Sequence, residues 1–180
     1  MIVLLAGAAL LLGYSGKLNK MEKTDDNSKL LDEYFKEASK VYSVPYDMMR
    51  AICMNESSYG KAYSVKKGMM NPNDVEGSKS DDGLSWGVMQ MTLRTAKDFD
   101  ISVTPQKLNN PKYSIDLAAK FLRSLRLQFK NERDIVMAYN QGAGNQKKFI
   151  EMEKKGNLLM TQFLQARMYY ERYLSNKRRL

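Results

Sequence analysis

Apolar residues recur along most of this chain at the three-and-four spacing of an α-helix, and no stretch alternates as a strand does. Leu30, Leu31, Tyr34, Phe35, Ala38, Val41 and Tyr42 predict a first helix, with Ser28 as its cap. Pro45 suits the first turn of the next. That helix places Met48, Met49, Ile52 and Cys53 on one face and carries Glu56 near its end. From 58 to 86 the period is lost among Gly60, Gly68, Pro72, Gly77 and Gly83, with Asp74, Glu76, Asp81 and Asp82 between them. This predicts a long loop, or at most a small hairpin within 60–90, and long loops in compact domains are often functional. Thr92 caps a short helix through Phe99, and Pro111 opens the longest one, with Ile115, Ala118, Phe121, Leu122, Leu125 and Phe129 in register. Another helix covers Asp134 to Asn140 and is stopped by Gly142 and Gly144; a last one runs from about Leu158 to Leu174. The pattern predicts a mainly α chain with one domain, residues 28–180, and a cleft bordered by loops.

The N-terminus reads differently. Residues Ile2 to Leu12 are an unbroken apolar run, long enough as a helix to cross about half of a bilayer core. The length suits a secretion signal, and Gly13 to Ser15 offers small residues after it. However, Lys17, Lys20 and Lys23 follow the run and no basic residue precedes it. The expectation is therefore a retained hydrophobic helix, residues 1–13, held by a membrane or by neighbouring protein subunits. A polar linker, residues 14–27, joins it to the domain.

Composition narrows the chemistry. With 180 residues, 43% of them hydrophobic, one folded domain with a core is expected. There is no histidine, which excludes Ser-His and Cys-His catalytic pairs and argues against zinc. The single Cys53 cannot form an internal disulfide and reads as a packed core thiol. No metal or organic cofactor is implied. The net charge of +9, including the tail Lys177-Arg178-Arg179, is either a solvated basic surface or an attraction to a polyanion. No nucleic-acid module is visible, and no nucleic-acid partner is expected.

Three segments carry candidate chemistry: Glu56-Ser57-Ser58, Gly87-Val88-Met89-Gln90 and Ala138-Tyr139-Asn140-Gln141-Gly142-Ala143-Gly144-Asn145. A carboxylic acid can donate a proton as a general acid near neutral pH if an apolar setting raises its pKa. Ala51 to Met54 provide that setting for Glu56, and Tyr59 and Trp86 are placed to border it. Glycine at 87 would let backbone approach a ligand. Each segment alone also has an ordinary reading: an exposed Glu at a helix end, a turn with a buried Val-Met pair, a helix stop with a packed Tyr.

In this order and in one helical domain, the three segments resemble the lysozyme-like lytic transglycosylases of the SLT type, with goose-type lysozyme features. The family's E-S pair, G-L-M-Q run and A-Y-N-A-G run correspond to Glu56-Ser57, Gly87 to Gln90 with Val for Leu, and Ala138 to Gly142 with Gln141 for Ala. Ala166 to Tyr170 matches a further run in the last helix, and Asn109 to Pro111 also fits. The similarity covers about residues 30 to 174. It implies cleavage of peptidoglycan glycan strands, with Glu56 as general acid and then base. It implies that Ser57, Gly87, Gln90, Tyr139 and Asn140 meet the sugar, and that Met89 and Tyr169 wall the cleft. In such transglycosylases the N-acetyl group assists departure and the sugar's own 6-hydroxyl replaces water, so no second carboxylate is needed. Goose-type relatives are hydrolases that use aspartates. The position after the G-L-M-Q run where they carry one is Thr92 here, while Asp81 or Asp82 could correspond to another. The missing aspartate favours the transglycosylase. The alternatives are a goose-type hydrolase and a non-catalytic glycan-binding or structural virion module. The expected setting is a phage particle that opens the wall locally, or otherwise a secretion or pilus assembly in the periplasm or envelope.

Overall fold

The computed structural model describes residues 27–156 and 163–180. The chain divides into two units, Met1–Glu33 and Tyr34–Leu180. Of the first, residues 27–33 are described and are helical. Ser28 therefore lies inside a helix and does not cap it. The expected hydrophobic helix of residues 1–13 and all but the last residue of the expected linker lie outside the described residues. Among the described residues no helix is long and apolar enough to cross a membrane.

The second unit is mainly helical. It begins with α1 (residues 34–42), in which Phe35 and Ala38 are buried and Val41 is exposed. Pro45 sits one residue earlier than expected, as the N-cap of α2 (Tyr46–Ser57). The inward face of α2 carries Met48, Met49, Ala51, Ile52 and Cys53, all buried. The helix ends where Ser58, Tyr59 and Gly60 take successive positive φ angles of 50°, 61° and 76°. Such left-handed residues cannot continue a right-handed helix. The expected loop from 58 to 86 contains a helix, α3 (Tyr63–Met70). The expected hairpin also shifts. Strands β1 (Ser85–Trp86) and β2 (Met91–Thr92) pair antiparallel with Trp86 opposite Met91, so Gly87 to Gln90 form the hairpin's turn rather than following it.

The helices after the hairpin are capped by the residues that precede them. Thr92 accepts from the Thr95 N–H at α4 (Leu93–Lys97), which stops two residues short of Phe99. Thr104 accepts from Lys107 at α5 (Pro105–Asn109). Asn110 does the same for the 18-residue α6 (Pro111–Gln128), whose buried face includes Ile115, Ala118, Leu122 and Leu125. Asn131 caps α7 (Glu132–Gln141). Gly142, at φ 84°, ends α7 and begins α8 (Ala143–Lys154). Gly144 thus lies within a helix instead of stopping one. The last helix is α9 (Leu164–Lys177); the expected start near Leu158 falls among the residues outside the description. Helix α9 is tied to α2 where Asn55 Nδ2 donates to the Tyr169 carbonyl at 3.0 Å and Asn176 Nδ2 donates to Asn55 Oδ1 at 2.7 Å. It is tied to α7 where the Tyr173 hydroxyl donates to Glu132 at 2.8 Å.

Candidate active site

The last turn of α2, the hairpin, α4 and the α7–α8 corner enclose a cavity of about 580 Å3. Glu56 lines it, together with Asp82, Gln90, Tyr139, Asn140 and Gln141.

Glu56 is partly buried, and burial pushes its carboxyl up to about 7; the negative charge of Asp82 acts in the same direction. The hydrogen bond from Tyr169 and the charge of Arg172 pull the other way without cancelling it. Tyr169 is buried and donates its hydroxyl to Glu56 Oε1 at 2.5 Å. With Oε1 engaged, Oε2 is the oxygen left to carry a transferable proton. The Tyr169 phenol is itself held well above its ordinary value, first by burial and then by the Glu56 charge, so it remains a donor.

The structure sorts the expected site residues into two groups. Tyr139, Asn140 and Gln90 line the cavity with Glu56. Tyr139 donates its hydroxyl to the Met89 carbonyl at 2.8 Å and leans its ring on Phe121 with centroids 5.3 Å apart. Gln90 sits at φ 47°, and its Nε2 donates back to the Gly87 carbonyl at 2.9 Å, which leaves its own carbonyl oxygen for the cavity.

Ser57, Gly87, Met89 and Tyr169 do not line it. Ser57 is 1% exposed; its hydroxyl donates to the Val88 carbonyl at 2.8 Å and accepts from the Gly60 N–H at 2.9 Å. It ties the end of α2 to the hairpin turn. Gly87 has a close protein neighbour that requires a glycine. At φ 76° it faces α5, and a Cβ there would lie 2.0 Å from the Leu108 carbonyl oxygen. The Met89 side chain is fully buried and cannot wall a cleft. Tyr169 touches Glu56 through its hydroxyl without lining the cavity. Tyr59 and Trp86, expected to border Glu56, do not line this cavity either. Tyr59 packs on Phe35 with ring centroids 5.7 Å apart, and the Trp86 indole donates to the Val75 carbonyl at 3.3 Å.

Cys53 is fully buried, and burial pushes its thiol up to about 12, as a core thiol requires. Asp82 is the carboxylate that composition alone left undistinguished from Asp81. It accepts from the Ser80 hydroxyl and from the Leu84 N–H, and these bonds hold it below the usual carboxylate range. Asp82 lines the cavity, and Asp81 does not. Arg94, Thr95, Phe121 and Asn145 also line it and were not anticipated as site residues. Phe121 carried the periodicity of a core position, which concealed its second face. Among the described residues no group of three or more Cys, Asp or Glu is placed to hold a metal ion.

The family described as Transglycosylase SLT domain matches residues 33–158. The peptidoglycan transglycosylase gp16 of Escherichia phage T7 is 31% identical over 129 residues, a match that covers 69% of this chain but 9% of that protein. Both Glu56 and the hairpin lie within the family match, whereas Tyr169 lies beyond it.

Proposed function

This chain belongs to the transglycosylase SLT domain family, and from that premise we propose that it is a lytic transglycosylase acting on the MurNAc-GlcNAc β-1,4 bond of peptidoglycan. The observation that carries the reading is Glu56: a carboxyl raised to about 7 at the wall of a polar cavity, with one oxygen held by Tyr169. Half of such groups are protonated at neutral pH, which suits a general acid.

In the proposed reaction Glu56 gives its proton to the glycosidic oxygen as the bond to the MurNAc C1 breaks. The substrate's N-acetyl group assists that departure. The Glu56 carboxylate then takes the proton of the C6 hydroxyl while that oxygen closes on C1. The product is 1,6-anhydroMurNAc, and Glu56 is returned protonated. Gln90, Tyr139 and Asn140 border the same cavity and would orient the sugar. Ser57, Gly87 and Met89 would act one step removed, by fixing the hairpin turn against α2 and α5.

Asp82 favours a second reading. An ionised carboxylate in the cavity of the acid could hold a water and make the enzyme a goose-type hydrolase. The products decide: purified peptidoglycan digested with the protein, beside a Glu56→Gln control, is analysed by mass spectrometry. Anhydro-muropeptides that vanish in the control are the result expected. Reducing-end muropeptides would assign hydrolysis and make Asp82 the next residue to change. No product from the folded protein would leave a binding or structural module.

The relative is a phage protein described as a peptidoglycan transglycosylase. It supports the reading that this chain opens the wall locally as part of a phage particle, with residues 1–13 as a contact to membrane or to other particle subunits. Finding the protein processed after Ser15 and free in the periplasm would contradict that setting.

A further inference from the structure

Gln141 stands where the family run has alanine, and it lines the cavity beside Asn140 and Gly142. Its Nε2 donates to Gln146 Oε1 at 2.6 Å. Gln146 is fully buried, and its own Nε2 donates to Asp134 Oδ1 at 2.8 Å. Asp134 is buried too, and it takes further bonds from Asn131 Nδ2 at 2.6 Å and Arg133 Nε at 3.3 Å. A carboxylate paired with a guanidinium only accepts hydrogen bonds. The polarity of the chain therefore runs one way. Asp134 requires the amino end of Gln146, whose carbonyl then faces outward and requires the amino end of Gln141. What remains of the Gln141 side chain is Oε1, which takes no hydrogen bond from any described residue, and the second Nε2 hydrogen.

We propose that Gln141 is a specificity-determining residue that holds a fixed carbonyl acceptor in the cavity for an amide N–H of the bound glycan strand, with Gln146 and Asp134 as positioning residues. The proposal rests on the glycan-cleaving reading above. A glutamine free to rotate can exchange the positions of its donor and acceptor; the buried chain fixes where the acceptor stands and removes the entropy of fixing it on binding. Hydroxyl groups both donate and accept and would gain little from a fixed polarity. Amide N–H groups only donate, and a peptidoglycan strand carries them in its N-acetyl groups and in its stem peptides.

The test is steady-state kinetics of the full chain, Gln141→Ala and Gln146→Met on soluble, uncross-linked peptidoglycan strands, with and without stem peptides. Loss of one hydrogen bond predicts a KM about 3- to 10-fold higher for Gln141→Ala, with kcat changed by less than about two-fold. Gln146→Met raises KM by less, because Gln141 remains but turns freely. A loss seen only on peptide-bearing strands assigns the donor to the peptide; a loss on both substrates assigns it to the N-acetyl group. An unchanged KM on both substrates, with wild type active, overturns the proposal. So does a fall in kcat that follows a fall in melting temperature, since that marks packing alone. A folded wild type that releases no product from either substrate removes the glycan-cleaving reading itself, and the proposal with it.

Discussion

The hairpin turn Gly87 to Gln90 and the corner Tyr139 to Asn145 each contain a segment that resembles a run of the family, yet the two are packed in opposite ways. In the turn, Val88 and Met89 are fully buried, Gly87 lies against the α5 backbone, and the Val88 carbonyl takes the Ser57 hydroxyl. Only Gln90 reaches the cavity. At the corner, Tyr139, Asn140, Gln141, Gly142, Gly144 and Asn145 all border it. One segment is packed framework against α2 and α5, and the other borders the cavity that holds Glu56. A family run thus marks a region of importance without saying which of its side chains touch substrate. Substitutions in the framework should lower stability, and those on the surface should change kinetics.

The largest effect lies at the residue between the two. Glu56→Gln should lower turnover by about 10^3-fold, within the range for a lost general acid, while the chain stays folded. It also has a pH signature in stability. Because the folded carboxyl titrates near 7 and the unfolded one near 4.5, Glu56 contributes stability below 4.5 that is lost as pH rises through 7. At 1.36 kcal/mol per pH unit the loss is on the order of 3 kcal/mol. Glu56→Gln should lack it, so urea titrations at pH 5 and pH 8 should show the variant gaining on wild type at the higher pH.

Gly87→Ala should break the framework. It pairs a left-handed backbone, costing about 1–2 kcal/mol, with a Cβ driven into the Leu108 carbonyl, so a loss of about 3 kcal/mol or more is expected in a urea titration. Ser57→Ala is smaller. It leaves the buried Val88 carbonyl and Gly60 N–H short of a partner, for about 1–3 kcal/mol of stability. Its KM should stay within about two-fold, since the loss of one sugar-binding hydrogen bond would cost more. A large rise in KM with unchanged stability would return Ser57 to the ligand surface. The smallest effect is a shift and not a loss. Tyr169→Phe removes a bond that lowers the Glu56 pKa. The alkaline limb of the pH–rate profile, where the acid deprotonates, should therefore move to higher pH.

What could be read from the chain follows the same division. Helix α6 was legible because Asn110-Pro111 supplies its cap and first turn and a continuous apolar face follows. Helix α3 was not: it buries only Val65 and Gly68, and its glycine reads as a loop residue. Helix α8 buries only Gln146 and Phe149, and the two glycines before and within its first turn read as a stop. Glu56 stood out as a candidate because acid, turn and corner occur in a fixed order, and the structure places it at the cavity with Gln90, Tyr139 and Asn140. The inward direction of Ser57, Gly87 and Met89 was not, because it depends on partners far along the chain. Leu108 lies 21 residues from Gly87, and Tyr169 lies 113 from Glu56.

At the centre of the mechanism, the fold raises the Glu56 carboxyl to about 7, so that about half of it is protonated at neutral pH. The direct measurement is a carbon-13 NMR titration of the glutamate carboxyls, with the Glu56 signal identified by its absence in Glu56→Gln. A midpoint near 7 is the predicted result. A midpoint near 4.5, that of an ordinary exposed glutamate, would contradict the account.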